Sequence, residues 1–114
     1  MSFDSFSEFW PFYLSQHRQP LCRALHFVGT GSALSIYAWV LITRPEGLGW
    51  WLLLPPVVGY GFAWIAHFFV EGNRPATFGH PLWALAADFR MFGCMLTGRL
   101  WTGDPAPSEA VAAD

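Results

Sequence analysis

Ala24-Leu-His-Phe-Val-Gly-Thr-Gly-Ser-Ala-Leu-Ser-Ile-Tyr-Ala-Trp-Val-Leu-Ile-Thr43 contains only two ionisable side chains, His26 and Tyr37. With Leu21 to Arg23 ahead of it, the run is long enough to cross a hydrocarbon core of ~30 Å as a helix rising ~1.5 Å per residue. Gly29, Gly31, Ser32, Ala33 and Ser35 are small residues of the kind that let membrane helices approach closely. Arg44-Pro45-Glu46-Gly47 then reads as a short turn. A second apolar run follows from Leu48 to Val70, with His67 and Tyr60 as its ionisable groups. Trp50 and Trp51 stand where an interfacial aromatic belt belongs. Pro55-Pro56 is expected to kink the second helix or to start it afresh. The expected fold is therefore all-α: an integral membrane hairpin with spans at about 21–43 and 48–71.

Composition points the same way. In 114 residues, enough for one domain, hydrophobic residues make up 54% and charged residues 12%. That charged share is about half the usual one, too little to cover a soluble surface. Lysine is absent and the six basic residues are scattered arginines, with a net charge of −2. A nucleic-acid surface needs a clustered basic stripe, so that class of partner is excluded. Asp4 and Glu8 precede the first basic residue, Arg18, which is not a signal-peptide pattern; the first apolar run is expected to stay as an anchor.

Interfacial amphipathic helices are expected on both flanks. Residues 3–16 carry Phe3, Phe6, Phe9, Trp10, Phe12 and Tyr13 mostly on one helical face, with Ser5 and Glu8 in capping-box spacing and Pro11 as an interruption. That aromatic stripe reads as lipid-facing or core. Residues 81–100 are apolar but contain Asp88, Arg90 and Arg99, which suits a helix lying along the interface better than a third span. Asp88 is expected to accept a hydrogen bond from another helix. Residues 102–114 have a disordered composition. Five of the six arginines flank the outer ends of the hairpin and only Arg44 lies in the turn, so the positive-inside rule puts both termini in the cytoplasm. A hairpin this small is expected to self-associate as a homo-oligomer.

The chemistry concentrates between Ala63 and Phe78. His67 and Glu71 share a helical face, and Gly72 and Pro75 end the helix just after them. Glu71 then sits in a last turn, where the helix dipole disfavours an acid; a carboxylate kept there beside a histidine suggests a bound cation. His26 lies 19 residues before Pro45 and His67 lies 21 after Glu46. On antiparallel helices these are ~28 and ~32 Å from the turn, nearly level. His17 comes just before Pro20, where the first span begins. Three histidines and Glu71 can thus gather at one edge of the bilayer. Each also has a plainer reading. A lone histidine near a helix end often only hydrogen-bonds in the interface, Glu71 may pair with Arg74, His80 reads as a helix-start residue before Pro81, and Cys22 and Cys94 read as small packing residues.

Several segments resemble one small membrane family: His17-Arg-Gln-Pro20 leading to Leu25-His26-Phe-Val-Gly29-Thr30, Gly59-Tyr-Gly-Phe-Ala-Trp64, His67-Phe-Phe-Val-Glu71 with Asn73-Arg-Pro-Ala76, and Asp88-Phe-Arg-Met91 with Met95-Leu-Thr-Gly-Arg99. The chain is similar to the short bacterial form of the 2-hydroxy fatty acid dioxygenases. The resemblance implies an enzyme of the bacterial inner membrane that uses Fe2+ and O2 to shorten a 2-hydroxy fatty acid by one carbon. It implies His17, His26 and His67 as metal ligands and gives Glu71 the place of a fourth ligand or orienting acid. Arg74 would attract the substrate carboxylate. His80 has no counterpart in the eukaryotic pattern. Competing readings are a haem protein with His26 and His67 as axial ligands, a non-catalytic membrane assembly protein, and a zinc hydrolase using the same ligands.

Overall fold

A computed structural model describes residues 3–103 and residue 105, and every regular element among them is helical. Helix α1 covers Phe6–Ser15, α2 Pro20–Thr43, α3 Leu48–Ile65 and α4 Pro81–Leu96. α3 continues as a π-helical segment, Ala66–Glu71, and a 3₁₀ turn, Ala76–Phe78, leads into α4. The expected tail lies almost wholly outside the described residues.

Local chemistry sets these limits. Ser5 caps α1 by accepting the Glu8 N–H at 3.2 Å, while the Glu8 carboxylate accepts the Asp4 N–H at 2.7 Å. Proline supplies the first position of both α2 and α4, where its missing N–H costs nothing. Arg44 ends α2 in a left-handed conformation, φ 47°.

α2 and α3, with its π-helical extension, form the hairpin. Both arms are 24 residues long, Pro20–Thr43 and Leu48–Glu71, and both are long and apolar enough to cross a membrane. They approach closely at Gly29. A Cβ there would stand 2.8 Å from the Phe62 Cβ and 3.2 Å from the Gly59 carbonyl oxygen. Helix α3 runs on through Pro55 and Pro56, so of the two outcomes expected there, a kink or a fresh start, the fresh start does not occur.

Of the two readings of the α1 aromatic stripe, lipid-facing or core, the packing meets the second. The stripe does not point outward. Phe9, Trp10, Tyr13 and Leu14 are buried against Ala84, Ala87, Met91, Cys94 and Met95 of α4. Phe6 stacks on Trp83 with centroids 6.0 Å apart, and Arg90 lies over Trp10 at 5.0 Å. The stripe that suited an interface is a helix–helix contact because α4 offers a complementary face of small and sulfur-bearing side chains. α4 in turn packs on α2, where Phe92 stacks on Phe27 at 4.8 Å.

Burial along α2 mixes polar and apolar side chains. Cys22, Arg23 and His26 are buried near its start, while Leu21, Val28, Leu41 and Ile42 are exposed. Ile42, Trp50 and Phe69 are each at least 80% exposed, so apolar side chains cover the outside of the hairpin.

Candidate metal centre

Three chain segments bring one imidazole each to the end of the hairpin away from the turn. His17 lies in the link between α1 and α2, His26 in the second turn of α2, and His67 in the π-helical segment. The ring centroids are 4.5 Å apart for His17 and His26, 4.6 Å for His17 and His67, and 4.9 Å for His26 and His67. All three rings are buried. The level placement read from helix rise is therefore correct.

The second nitrogen of each ring is tied down. His17 Nδ1 faces the Tyr13 carbonyl oxygen at 2.6 Å, and His26 Nδ1 faces the Cys22 carbonyl oxygen at 2.9 Å. A carbonyl only accepts, so both Nδ1 atoms carry the proton. His67 Nδ1 faces the Asn73 Oδ1 at 2.7 Å. The Asn73 amide nitrogen donates to the Gln16 carbonyl at 3.1 Å, which makes Oδ1 the acceptor for His67. Every Nε2 is left with a bare lone pair. His17 Nε2 and His26 Nε2 stand 3.2 Å apart, and neither has a proton to give the other.

Two unprotonated nitrogens at that distance repel unless a cation lies between them. An ion about 2.1 Å from each would see them about 100° apart, between octahedral and tetrahedral values. Fixing Nδ1 by a carbonyl or amide oxygen is also how metal-bound histidines are oriented. Burial, then the neighbouring His26 and His67, holds the His17 imidazole well below its usual pKa, in the neutral form a metal needs. Cys22 completes the group. The ligand atoms of His17, Cys22, His26 and His67 lie within 4.8 Å of one another and could hold a metal ion. The Cys22 Sγ sits on the Nδ1 side of His26, at 3.8 Å.

Two spaces adjoin the histidines. A cavity of about 10 Å³, room for one small ion or water, is lined by all three together with Tyr13 and Asp88. A cleft of about 300 Å³ runs between α2, α3 and α4 from His26 and Asp88 past Thr30, Ala33 and Gly59 to Tyr37. Along α2 it extends ~16 Å. The Tyr13 hydroxyl donates to the Asp88 Oδ1 at 2.5 Å, which meets the expectation of an interhelical partner. Burial pushes the Asp88 carboxyl up to about 7, partly offset by that bond, and raises the Tyr13 hydroxyl as well.

Of the other expected site residues, Glu71 borders this cluster with its carboxylate beside the Cys22 thiol, while Arg74 and His80 lie away from it. Glu71 accepts the Gln19 N–H at 2.5 Å and so caps the N-terminus of α2. The positive end of α2 thus offsets the unfavourable position of Glu71 in its own helix. Arg74 is exposed, its guanidinium 5.2 Å from the Phe78 ring, and it lines neither space. His80 joins the aromatic cluster at 5.2 Å from Phe3 and 5.5 Å from Phe9. The haem reading does not fit either. His17 is wedged within 4.6 Å of both other rings, where a planar macrocycle between His26 and His67 would have to pass.

A buried arginine anchors the cluster from behind. Arg23 Nε donates to the Leu100 carbonyl at 2.6 Å, and Nη1 donates to those of His17 and Arg18 at 2.8 and 2.9 Å. Nη2 donates to the carbonyls of Thr102 and Gly103.

Cys22 was read from sequence as a small packing residue, and neither it nor Asn73 nor Tyr13 was assigned to the site. Cys22 had a signal, four residues before His26 on one helical face. Asn73 was hidden inside a helix-stop tetrapeptide.

Comparison with known proteins agrees with the residues. A sequence model for the family described as Mpo1-like, 2-hydroxy-palmitic acid dioxygenase Mpo1-like, matches residues 3–100. No curated protein and no solved structure gave a match.

Proposed function

The chain belongs to the Mpo1-like family, and from that premise we propose that it is an Fe2+-dependent dioxygenase that shortens 2-hydroxy fatty acids by one carbon in a lipid bilayer. The observation that carries this reading is the convergence of three buried imidazoles with bare Nε2 atoms beside an apolar cleft. His17, His26 and His67 would hold the ion and leave positions for substrate and O2. Bound ferrous iron supplies the redox chemistry by which one O2 and one 2-hydroxy acid yield the shortened acid, CO2 and water. Every other task falls to the chain.

Tyr13, Cys22 and Asn73 fix the ring orientations through the Nδ1 protons. Cys22 lies behind His26 as a further candidate ligand. Glu71 is a positioning residue: by capping α2 it holds the turn between His17 and Cys22 in place. Arg74, exposed beside this end of the hairpin, draws the anionic head of the substrate toward the bilayer edge. The cleft takes the acyl chain. Its length of ~16 Å is about half a ~30 Å hydrocarbon core, the depth of a single lipid chain.

The bilayer reading rests on the two long apolar arms, on which large apolar side chains are exposed while Arg23, His26 and His67 are buried. That arrangement is favoured when the surroundings are hydrocarbon. Two spans, both termini cytoplasmic, and the histidines near the inner leaflet follow from the arginine distribution. Self-association as a homo-oligomer would cover part of the exposed apolar surface.

Purification without oxygen, metal quantification and incubation with 2-hydroxypalmitate and O2 test the proposal. One iron per chain and release of the C15 acid are expected, with both lost in the His17→Ala, His26→Ala and His67→Ala variants. Full metal occupancy in the triple variant would reject the ligand assignment. Zinc in place of iron, with no oxidised product, would favour the hydrolase reading.

A further inference from the structure

Asp88 is the one carboxylate that lines both the histidine cavity and the cleft. One of its oxygens, Oδ1, is occupied by the Tyr13 hydroxyl at 2.5 Å. No hydrogen bond to Oδ2 is formed among the described residues. Asp88 borders a largely apolar space, where an ionised carboxylate oxygen is costly unless it takes up a proton or something that enters the space donates to it. Tyr13 also links this group to the metal centre, since its backbone carbonyl takes the His17 Nδ1 proton.

Resting on the dioxygenase reading, we propose that Asp88 selects 2-hydroxy acids over unsubstituted fatty acids by accepting a hydrogen bond from the substrate's 2-hydroxyl. A substrate with its acyl chain in the cleft and its carboxyl group at the histidines passes C2 across the junction of the two spaces, where Asp88 stands. A hydroxyl at C2 donates to the open oxygen. A C–H bond cannot, and it excludes the water that would otherwise do so. Sites built to bind a substrate hydroxyl reject the analogue that lacks it for this reason. Tyr13 is the positioning residue, holding the carboxylate plane so that Oδ2 faces the junction.

The test compares two ligands in protein loaded with Fe2+ in detergent and kept free of oxygen, so that binding is read without turnover. Tryptophan fluorescence or calorimetry gives the affinities for 2-hydroxypalmitate and palmitate. The native chain should prefer the hydroxy acid at least tenfold. Asp88→Ala should weaken 2-hydroxypalmitate by about 10- to 100-fold and leave palmitate unchanged or tighter, so the preference collapses. Asp88→Asn, which keeps an acceptor oxygen, should retain part of it, and Tyr13→Phe should reduce it while leaving iron content intact. A purely structural role would weaken both ligands alike. Variants that keep the native preference overturn the proposal, as does loss of iron in Asp88→Asn. If the native chain binds neither acid, the dioxygenase reading fails and this assignment falls with it. If it binds both equally, only the selection by Asp88 is refuted.

Discussion

Gly29→Ala should damage the metal centre without touching it. Gly29 lies one turn beyond His26 and faces α3, and a Cβ there would stand 2.8 Å from the Phe62 Cβ and 3.2 Å from the Gly59 carbonyl oxygen. Carbon atoms rest about 3.5–4.0 Å apart, so the two helices must part by roughly 1 Å. Both close neighbours sit at or beside backbone, which cannot swing aside. Overpacking of this kind costs about 1–3 kcal/mol, offset by about 0.5–1 kcal/mol from replacing a helical glycine. The net loss is about 0–2.5 kcal/mol. His26 is only ~4.5 Å along the axis from Gly29, so the displacement reaches the rings nearly undiminished. Metal–ligand distances tolerate about 0.2 Å, so affinity should fall at least tenfold. Competition against a chromophoric chelator measures that loss, and thermal melting in detergent measures the stability. Gly61→Ala is the control, because its Cβ would have nothing within 4 Å; it should be neutral or slightly stabilising. The reasoning is refuted if Gly29→Ala binds metal as tightly, and melts as high, as Gly61→Ala.

Removing the Asn73 amide frees the His67 ring. Asn73→Ala should therefore lower metal affinity about 10- to 100-fold while the helices stay folded, whereas Asn73→Asp, which keeps the acceptor, should recover most of it; chelator competition with circular dichroism checks both. The pH dependence of the metal-free chain should report on Asp88. Its carboxyl is raised from 3.8 to about 7 in the fold, so within that window the folded chain holds a proton that the unfolded chain has lost. Its contribution to stability thus declines as pH rises through the window. Asp88→Asn should flatten that part of the decline in melting temperature measured from pH 4 to 8.

What was legible in the sequence was whatever depends on helical periodicity. Run length gave the hairpin, and counting residues from Pro45 and Glu46 placed His26 and His67 level, because a straight helix converts position into height. What depends on the partner surface was not legible. The aromatic face of α1 could meet lipid or protein equally well, and only the small residues of α4 decide for protein. Glu71 was read against its own helix dipole, when the N-terminus of a different helix sets its environment. The π-helical turn carries no composition signal. It nevertheless lets the His67 carbonyl accept from both Gly72 and Asn73, at 2.8 and 3.0 Å, which brings the Asn73 amide back to the ring.

The Arg23 guanidinium has a consequence for how the molecule comes into being. Its acceptors include the His17 carbonyl, six residues away, and the carbonyls of Leu100 and Gly103, 77 and 80 residues away. Loops of that length close late, since distant contacts must overcome the entropy of the intervening chain. During synthesis the hairpin can form before residue 103 has left the ribosome, with the His17 segment held by the local Arg23 bonds alone. The contacts that tie the end of the chain to the histidine cluster are thus the last to become available.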